Sequence, residues 1–130
     1  MNTVFDFLKK CETYYLATVE DGAPRVRPFG TVCIYNDKLY IQTGKSKPVY
    51  AQLIACPEAE ICAFDGSSWI RLSGRLIPDE SVAAKKYMLD QYPMLRNMYD
   101  ENDDNTIVFY FEDATAVISS FTAPPTTIRF

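Results

Sequence analysis

The length, composition and charge of the chain exclude several classes of protein. Its 130 residues, 48% of them hydrophobic and 23% charged, predict one folded domain over residues 1–130. The net charge of −4 disfavours nucleic-acid binding, which needs a basic face. No apolar run could span a membrane, and the N-terminal charges follow the apolar residues instead of preceding them, so we expect a cytoplasmic protein.

The first half of the chain is predicted to begin with a helix and to continue as strands. Apolar residues at helical spacing predict a helix over residues 3–11, which Asn2 or Thr3 could cap. Strands are predicted over residues 14–19, about 25–35 and 38–43. Pro28 within the second of these strands indicates an edge, a bulge or a bend, and Asn36-Asp37 predicts a hairpin.

The second half alternates short helices with paired strands. Pro48 begins a predicted helix that ends at about residue 56, Asp79 could cap another that ends at about residue 91, and a short helix follows Pro93. Strands are predicted over residues 60–64, 68–77, 106–112 and 115–120, before a tail rich in Pro and Thr. The acidic run Asp100, Glu101, Asp103 and Asp104 is interpreted as a solvated loop.

The order of these elements favours one architecture. Six or seven strands, mostly in adjacent hairpins, predict an antiparallel barrel with three or four short helices. Strand-helix-strand alternation, which a doubly wound parallel sheet requires, is not present. The fold class is therefore mainly β with short helices.

The chain contains no histidine, and this limits its possible chemistry. A Ser-His-Asp triad, a Cys-His dyad and a His-ligated metal or haem are excluded. The four cysteines form no C-x-x-C pair and are expected to be buried free thiols: Cys11, Cys33, Cys56 and Cys62. We expect no metal site, and any enzymatic chemistry is expected to reside in a bound cofactor.

The segment Thr-Gly-Lys-Ser-Lys-Pro, residues 43–48, is the first candidate binding site. Backbone N–H groups at the start of a helix are unpaired and attract anions. Ser46 can donate a hydroxyl hydrogen bond, and Lys45 and Lys47 add positive charge, so a phosphate monoester would suit the segment. A polar turn before a capped helix would have the same sequence, and the single glycine does not meet the P-loop pattern.

Two strand segments could bind a planar ligand. Arg25 and Arg27 share one face of the first, and Gly30 allows a ligand to approach the backbone. Alternation puts Trp69 and Arg71 together on one face of the second. The alternatives are a charged edge strand for the first segment and, for the second, a strand whose Trp fills the core.

Taken together and in this order, the motifs resemble the pyridoxamine 5'-phosphate oxidase-like family of FMN-binding split barrels. The matching stretches are residues 15–18, 22–30, 39–47, 52–53 with Pro57, and 69–74. The resemblance implies a six- to seven-stranded antiparallel split barrel. It also implies a homodimer with FMN bound in the groove between its two subunits.

The resemblance further implies which residues hold the cofactor. One group would line the isoalloxazine and ribityl region: Arg27, Pro28, Phe29 and Gly30. Gln42 and Thr43 would contact the ring or the ribityl chain, while Ser46 and Lys47, with the charge of Lys45, would hold the phosphate. Trp69 and Arg71 would come from the region near the partner subunit.

The chain also departs from full-length pyridoxamine phosphate oxidases. Trp69 stands where they have Gln, and residues 124–130 contain neither the His nor the Trp of their C-terminal segment. We therefore expect an FMN-dependent oxidoreductase that takes a small-molecule substrate or electron donor and does not oxidise vitamin B6 phosphates efficiently. The alternatives are a non-catalytic flavin sensor or reservoir, and a barrel for a deazaflavin or haem, of which the lack of His disfavours haem.

Overall fold

The computed structural model describes all 130 residues as one curved antiparallel sheet with three α-helices. The helices are α1 (Asn2–Cys11), α2 (Pro48–Ala55) and α3 (Val82–Gln91), and a 3₁₀ turn covers Pro93–Asn97. The strands are β1 (Tyr14–Glu20), β2 (Ala23–Phe29), β3 (Cys33–Tyr35), β4 (Lys38–Gly44), β5 (Glu58–Phe64), β6 (Ser68–Asp79), β7 (Thr106–Ser120) and β8 (Thr126–Arg129).

The strand order is β2-β1-β5-β6-β7-β4-β3, with β8 added to β7. Every pair is antiparallel, which gives the split barrel predicted from the sequence. The long strands β6 and β7 change register between Ser73 and Arg75, where Gly74 lies against Phe111 and Ala114. A bulge of this kind bends and twists a strand pair, so the sheet can curl around its core.

The core fills the inside of this curved sheet. Strand β5 alternates buried and outward residues, as a sheet with one face in the core requires. Ile70 and Leu72 of β6 point inward in the same way, while Trp69 and Arg71 point outward, so the predicted alternation is confirmed. Helices α1 and α2 complete the core with buried residues, which are Val4, Leu8, Val49 and Leu53.

The strand predicted over residues 25–35 is in fact two strands, β2 and β3. The three residues between them leave the sheet, and side chains satisfy their backbone groups. The Tyr14 hydroxyl donates to the Thr31 carbonyl at 2.6 Å, and the Tyr92 hydroxyl bonds both the N–H and the carbonyl of Val32 at 3.0 and 3.1 Å. Because these backbone N–H and carbonyl groups have hydrogen-bond partners outside the sheet, the chain can turn here. As the edge of the sheet, β2 accommodates Pro28.

Two other predictions for the end of the chain need correction. The two strands expected after residue 106 form the single strand β7, in which Asp113 takes a φ of 54°. The tail rich in Pro and Thr contains β8, which pairs with the end of β7. Such pairings join distant parts of the chain, so local composition does not reveal them.

The predicted helix caps are also wrong. Helix α1 starts at Asn2 and has no side-chain cap, so neither Asn2 nor Thr3 fulfils that role. Ser81, not Asp79, caps α3, because its hydroxyl accepts the N–H of Ala84 at 3.2 Å. Asp79 instead accepts hydrogen bonds from the Ser81 N–H and from the Tyr40 hydroxyl.

The hairpin at Asn36-Asp37 is confirmed. Both residues have positive φ, at 52° and 58°, as a two-residue turn of type I′ requires. All four cysteines are free thiols, but only Cys33 is buried, so the expectation of burial is wrong for the other three. None of the helices is both long and apolar enough to cross a membrane.

We predict that Gly44→Ala destabilises the fold by about 1–3 kcal/mol, because added volume in a packed region forces its neighbours to shift. A Cβ at this position would lie 2.9 Å from the Asn105 side chain and 3.1 Å from the Tyr99 ring. Gly30→Ala is the matched control, since its Cβ would meet only the Glu12 carbonyl oxygen, at 3.6 Å. Urea unfolding of both variants measures the effect, and equal stability of the two would contradict this account.

Candidate functional site

A cavity of about 520 Å³ opens between the end of β2, the end of β4, the start of α2 and the 3₁₀ turn. Its volume lies within the range of small-molecule sites. The lining residues are Arg25, Val26, Arg27, Pro28, Phe29, Gly30, Thr31, Gln42, Thr43, Lys47, Pro48, Val49, Leu95, Met98 and Tyr99.

The charge of the cavity is opposite to that of the chain. Three of its 15 lining residues are cations, and none is a carboxylate. The chain as a whole carries a net charge of −4. Cations gathered in a concave site focus a positive potential and attract anions. The cavity is therefore suited to a ligand with at least one negative group.

The backbone N–H groups of Ser46 and Lys47, in the turn before α2, already have partners. The Lys47 N–H bonds the Gly44 carbonyl at 3.0 Å, the Ser46 N–H bonds Asn105 Oδ1 at 2.9 Å, and Pro48 has no N–H. These groups are not the unpaired donors that the sequence predicts. The Lys47 ammonium makes no hydrogen bond or ion pair within the chain, so it is available to an anion next to the positive end of the helix.

Lys45 and Ser46 lie outside the cavity lining. The Lys45 ammonium forms a 2.7 Å ion pair with Glu80, which also pairs with the buried Lys85 at 2.9 Å. Hydrogen bonds from the two lysines lower the pKa of the Glu80 carboxyl. Lys45 thus ties the turn before α2 to the start of α3, and its ammonium already has a partner.

The acidic loop holds this turn in place. Asn105 accepts two backbone N–H groups of the turn, that of Lys45 at its carbonyl, at 2.7 Å, and that of Ser46 at its side chain. Asp103 Oδ1 in turn accepts the N–H groups of Asn105 and Thr106 at 3.0 and 2.6 Å. The run is a loop, as predicted, but Asp103 is an internal hydrogen-bond acceptor and not merely a solvated charge.

The cavity is lined by both polar and apolar residues. Gln42 is buried, and its amide nitrogen donates to the Thr43 carbonyl at 3.1 Å, which leaves its amide oxygen without a partner in the chain. The lining also has apolar residues, two of which are largely exposed: Val26 at 69% and Met98 at 70%. A flat ligand with polar edges could contact both kinds of residue.

Trp69 and Arg71 do not line this cavity. They lie on the outer face of β6, where the Trp69 ring packs on Phe121 at a centroid distance of 5.1 Å. Arg71 pairs with Glu60 on the same face at 2.9 Å. The alternative in which Trp69 fills the core is wrong, because its side chain is only half-buried.

The structure therefore brings seven of the eleven predicted residues together in one cavity, namely Arg27, Pro28, Phe29, Gly30, Gln42, Thr43 and Lys47. Sequence reasoning missed the contribution of the 3₁₀ turn and of the residues directly after it, which supply Leu95, Met98 and Tyr99. The apolar spacing after Pro93 was visible, but nothing local connects it to a site more than fifty residues earlier.

Comparison with known proteins identifies the group to which this fold and cavity belong. The family model described as pyridoxamine 5'-phosphate oxidase matches residues 2–118. The chain belongs to this family. No curated protein matches it.

Three solved structures illustrate the range of relatives. A NimC/NimA family protein from Clostridium acetobutylicum is 38% identical, with a TM-score of 0.97, over 100% of this chain and 92% of that one. An FMN-binding, pyridoxamine 5'-phosphate oxidase-related protein from Nostoc punctiforme has 15% identity and a TM-score of 0.66, with coverages of 96% and 90%. A heme-binding protein from Mycobacterium smegmatis has 12% identity and a TM-score of 0.71, with coverages of 94% and 57%.

We predict that Asp103→Asn lowers the free energy of unfolding in a pH-dependent way. Burial alone would raise the pKa of Asp103, but hydrogen bonds from Thr106, Asp100 and Asn105 lower it to about 2. Since the pKa is depressed in the folded state, the carboxylate contributes stability above the unfolded pKa of about 3.9, and this contribution is lost as pH falls towards 2.

Urea unfolding between pH 2 and pH 7 tests this prediction. The stability difference between the wild type and Asp103→Asn should be constant above about pH 4 and shrink below it. Asp104→Asn is the control, because Asp104 is exposed and accepts no hydrogen bond in the chain. A difference that stays the same down to pH 2 would count against the assigned role of Asp103.

Proposed function

We propose that this chain binds FMN in the cationic cavity and acts as a flavin-dependent oxidoreductase on a small-molecule substrate. The observation that carries the proposal is the charge of the cavity, with three cations and no carboxylate in a chain of net charge −4. A phosphate monoester attached to a planar ring system meets both the charge and the shape of the site.

Lys47 is the residue best suited to the phosphate. Its ammonium is unpaired, lines the cavity and lies at the N-terminal end of α2, where the helix dipole adds to its charge. Charge-assisted hydrogen bonds to phosphate are among the stronger ones in proteins. Ser46 is exposed outside the lining, and Lys45 is already paired with Glu80, so Lys47 would be the main phosphate ligand.

The remaining walls fit the ring. Phe29, Leu95 and Met98 offer apolar surface, and Gln42 offers an amide oxygen to a ring edge. When bound, the flavin would supply electron or hydride transfer, and the chain would supply binding, orientation and exclusion of water. The description of the Nostoc punctiforme protein as FMN-binding supports this choice, and that of the Mycobacterium smegmatis protein names heme as the competing ligand. Absorbance of the purified protein, and identification of the group released on denaturation, distinguish the two.

The proposal includes a homodimer. The outer face of β1, β5 and β6 exposes Tyr15 at 52% and Phe64 at 59%, next to Trp69 and to Phe121, which is 85% exposed. A contiguous exposed aromatic face is typical of a protein interface, and a two-fold partner would cover the same face on both copies. Trp69 and Arg71 would then reach the partner's cavity, which accounts for their position outside their own.

We predict that Lys47→Ala weakens FMN binding at least about tenfold and riboflavin binding little, because only FMN carries the phosphate. Lys45→Ala is the matched control and should leave the ratio of the two dissociation constants unchanged. Fluorescence titration of both flavins with each variant measures this. An equal loss of FMN and riboflavin in Lys47→Ala would exclude Lys47 as the phosphate ligand.

We also predict that Lys47→Ala and Trp69→Ala complement each other when their subunits exchange. A heterodimer keeps one intact site of two, so random mixing should restore about a quarter of the wild-type sites. The assay uses an FMN concentration that saturates neither parent variant. If exchange is demonstrated and no sites return, each site is built within one chain, and a monomer that binds FMN tightly refutes the dimer.

A further inference from the structure

A hydrogen-bonded network of side chains lies behind the cavity, with Gln52 at its centre. Gln52 belongs to α2 and is only 5% exposed. Its amide oxygen accepts from the Thr18 hydroxyl at 2.6 Å and from an Arg27 guanidinium nitrogen at 2.5 Å. Its amide nitrogen donates to Glu20 at 3.3 Å. The network therefore joins one cavity residue, Arg27, to β1 and α2.

The two arginines of β2 differ in what holds them. Arg25 forms a 3.1 Å ion pair with Glu20, so its charge is largely compensated. The Arg27 guanidinium bonds only neutral oxygens, those of the Leu16 carbonyl at 3.0 Å and of Gln52. Burial lowers the pKa of Arg27, and the charge of the nearby Glu20 opposes this effect without forming a direct ion pair. Arg27 thus lines the cavity as a cation whose hydrogen-bond partners are all neutral.

Glutamine is suited to this position because it both accepts and donates. Its oxygen fixes the guanidinium, and its nitrogen holds Glu20, the nearest carboxylate, in a pair with Arg25. A glutamate at position 52 would have the same shape, but it would neutralise Arg27 and repel Glu20. The choice between an amide and a carboxylate at one buried position therefore sets the charge of the cavity.

We propose that Gln52 is a positioning residue that presents Arg27 to the cavity as a cation without a direct ion pair, and that this charge favours the more negative, reduced form of a bound flavin. This inference rests on the proposed function. It assigns the tuning of the flavin potential to a residue that does not itself line the cavity. A positive charge near the ring binds the reduced flavin more tightly than the oxidised flavin, and so raises the midpoint potential.

The test exchanges the two functional groups of the network. The double variant Glu20→Gln/Gln52→Glu keeps the net charge and the amide–carboxylate pair, but it moves the carboxylate from Arg25 to Arg27. Comparison with Glu20→Gln therefore separates the effect at Arg27 from the loss of the Arg25 ion pair. Gln52→Glu alone is a second variant, and Glu20→Gln alone is the matched control. Arg27→Gln removes the cation itself. For each we would measure the melting temperature, the FMN dissociation constant and the midpoint potential of bound FMN.

Gln52→Glu and Arg27→Gln, compared with the wild type, and the double variant, compared with Glu20→Gln, should each weaken binding of the reduced relative to the oxidised flavin about tenfold. For a two-electron couple this is a potential about 30 mV more negative. The midpoint potential of Glu20→Gln should not become more negative. The melting temperature of the double variant should stay close to that of the wild type. Effects on packing alone would change the melting temperature without this ordered shift in potential.

Two results would overturn the inference while the proposed function stands. One is a wild-type potential in Gln52→Glu together with equal potentials in the double variant and in Glu20→Gln, and the other is a wild-type potential in Arg27→Gln. A wild-type protein that binds no FMN would overturn the proposed function, and this inference with it.

Discussion

Strand β7 pairs with β6 along most of its length, with β4 at its beginning and with β8 at its end, and no other strand has three partners. This pairing fixes the position of the cavity as well as that of the sheet. Asn105, the residue before β7, accepts two backbone N–H groups of the turn that leads β4 into α2. The ladder thus places Lys47 relative to the 3₁₀ turn, and the cavity forms between them.

Short-range signals in the sequence were sufficient for most of the elements. The Asn36-Asp37 hairpin and the alternation along β6 depend only on neighbouring residues, and both are as predicted. The break after β2 depends on Tyr14 and Tyr92, which reach the chain between β2 and β3 from other elements. The pairing of β8 with β7 is likewise a tertiary contact that local propensity does not encode.

The features of the site likewise divide into those that local sequence patterns indicate and those that depend on tertiary contacts. The sequence indicated the segments that carry Arg27 and Lys47, because a cation beside a strand end and a helix start is a local pattern. It could not distinguish Lys47 from Lys45, because the difference between them is made by Glu80, thirty-five residues after Lys45. Nor could it reveal that Asn105 accepts the N–H of Ser46, so that this donor of the turn before α2 is already used.

The sign of the cavity's charge comes from the way in which the acids around it are paired. Glu20 is held by Arg25 and Gln52, and Glu80 is held by Lys45 and Lys85. Neither carboxylate belongs to the lining, so a chain with more acids than bases still has a cavity whose only charged lining residues are cations. Net charge therefore predicts how the whole surface meets a polyanion, but not how a small site meets one phosphate. The affinity of the cavity for anions depends on these pairs being maintained. Gln52 is neutral, so the hydrogen bond that it accepts from Arg27 leaves this cation without a direct ion pair.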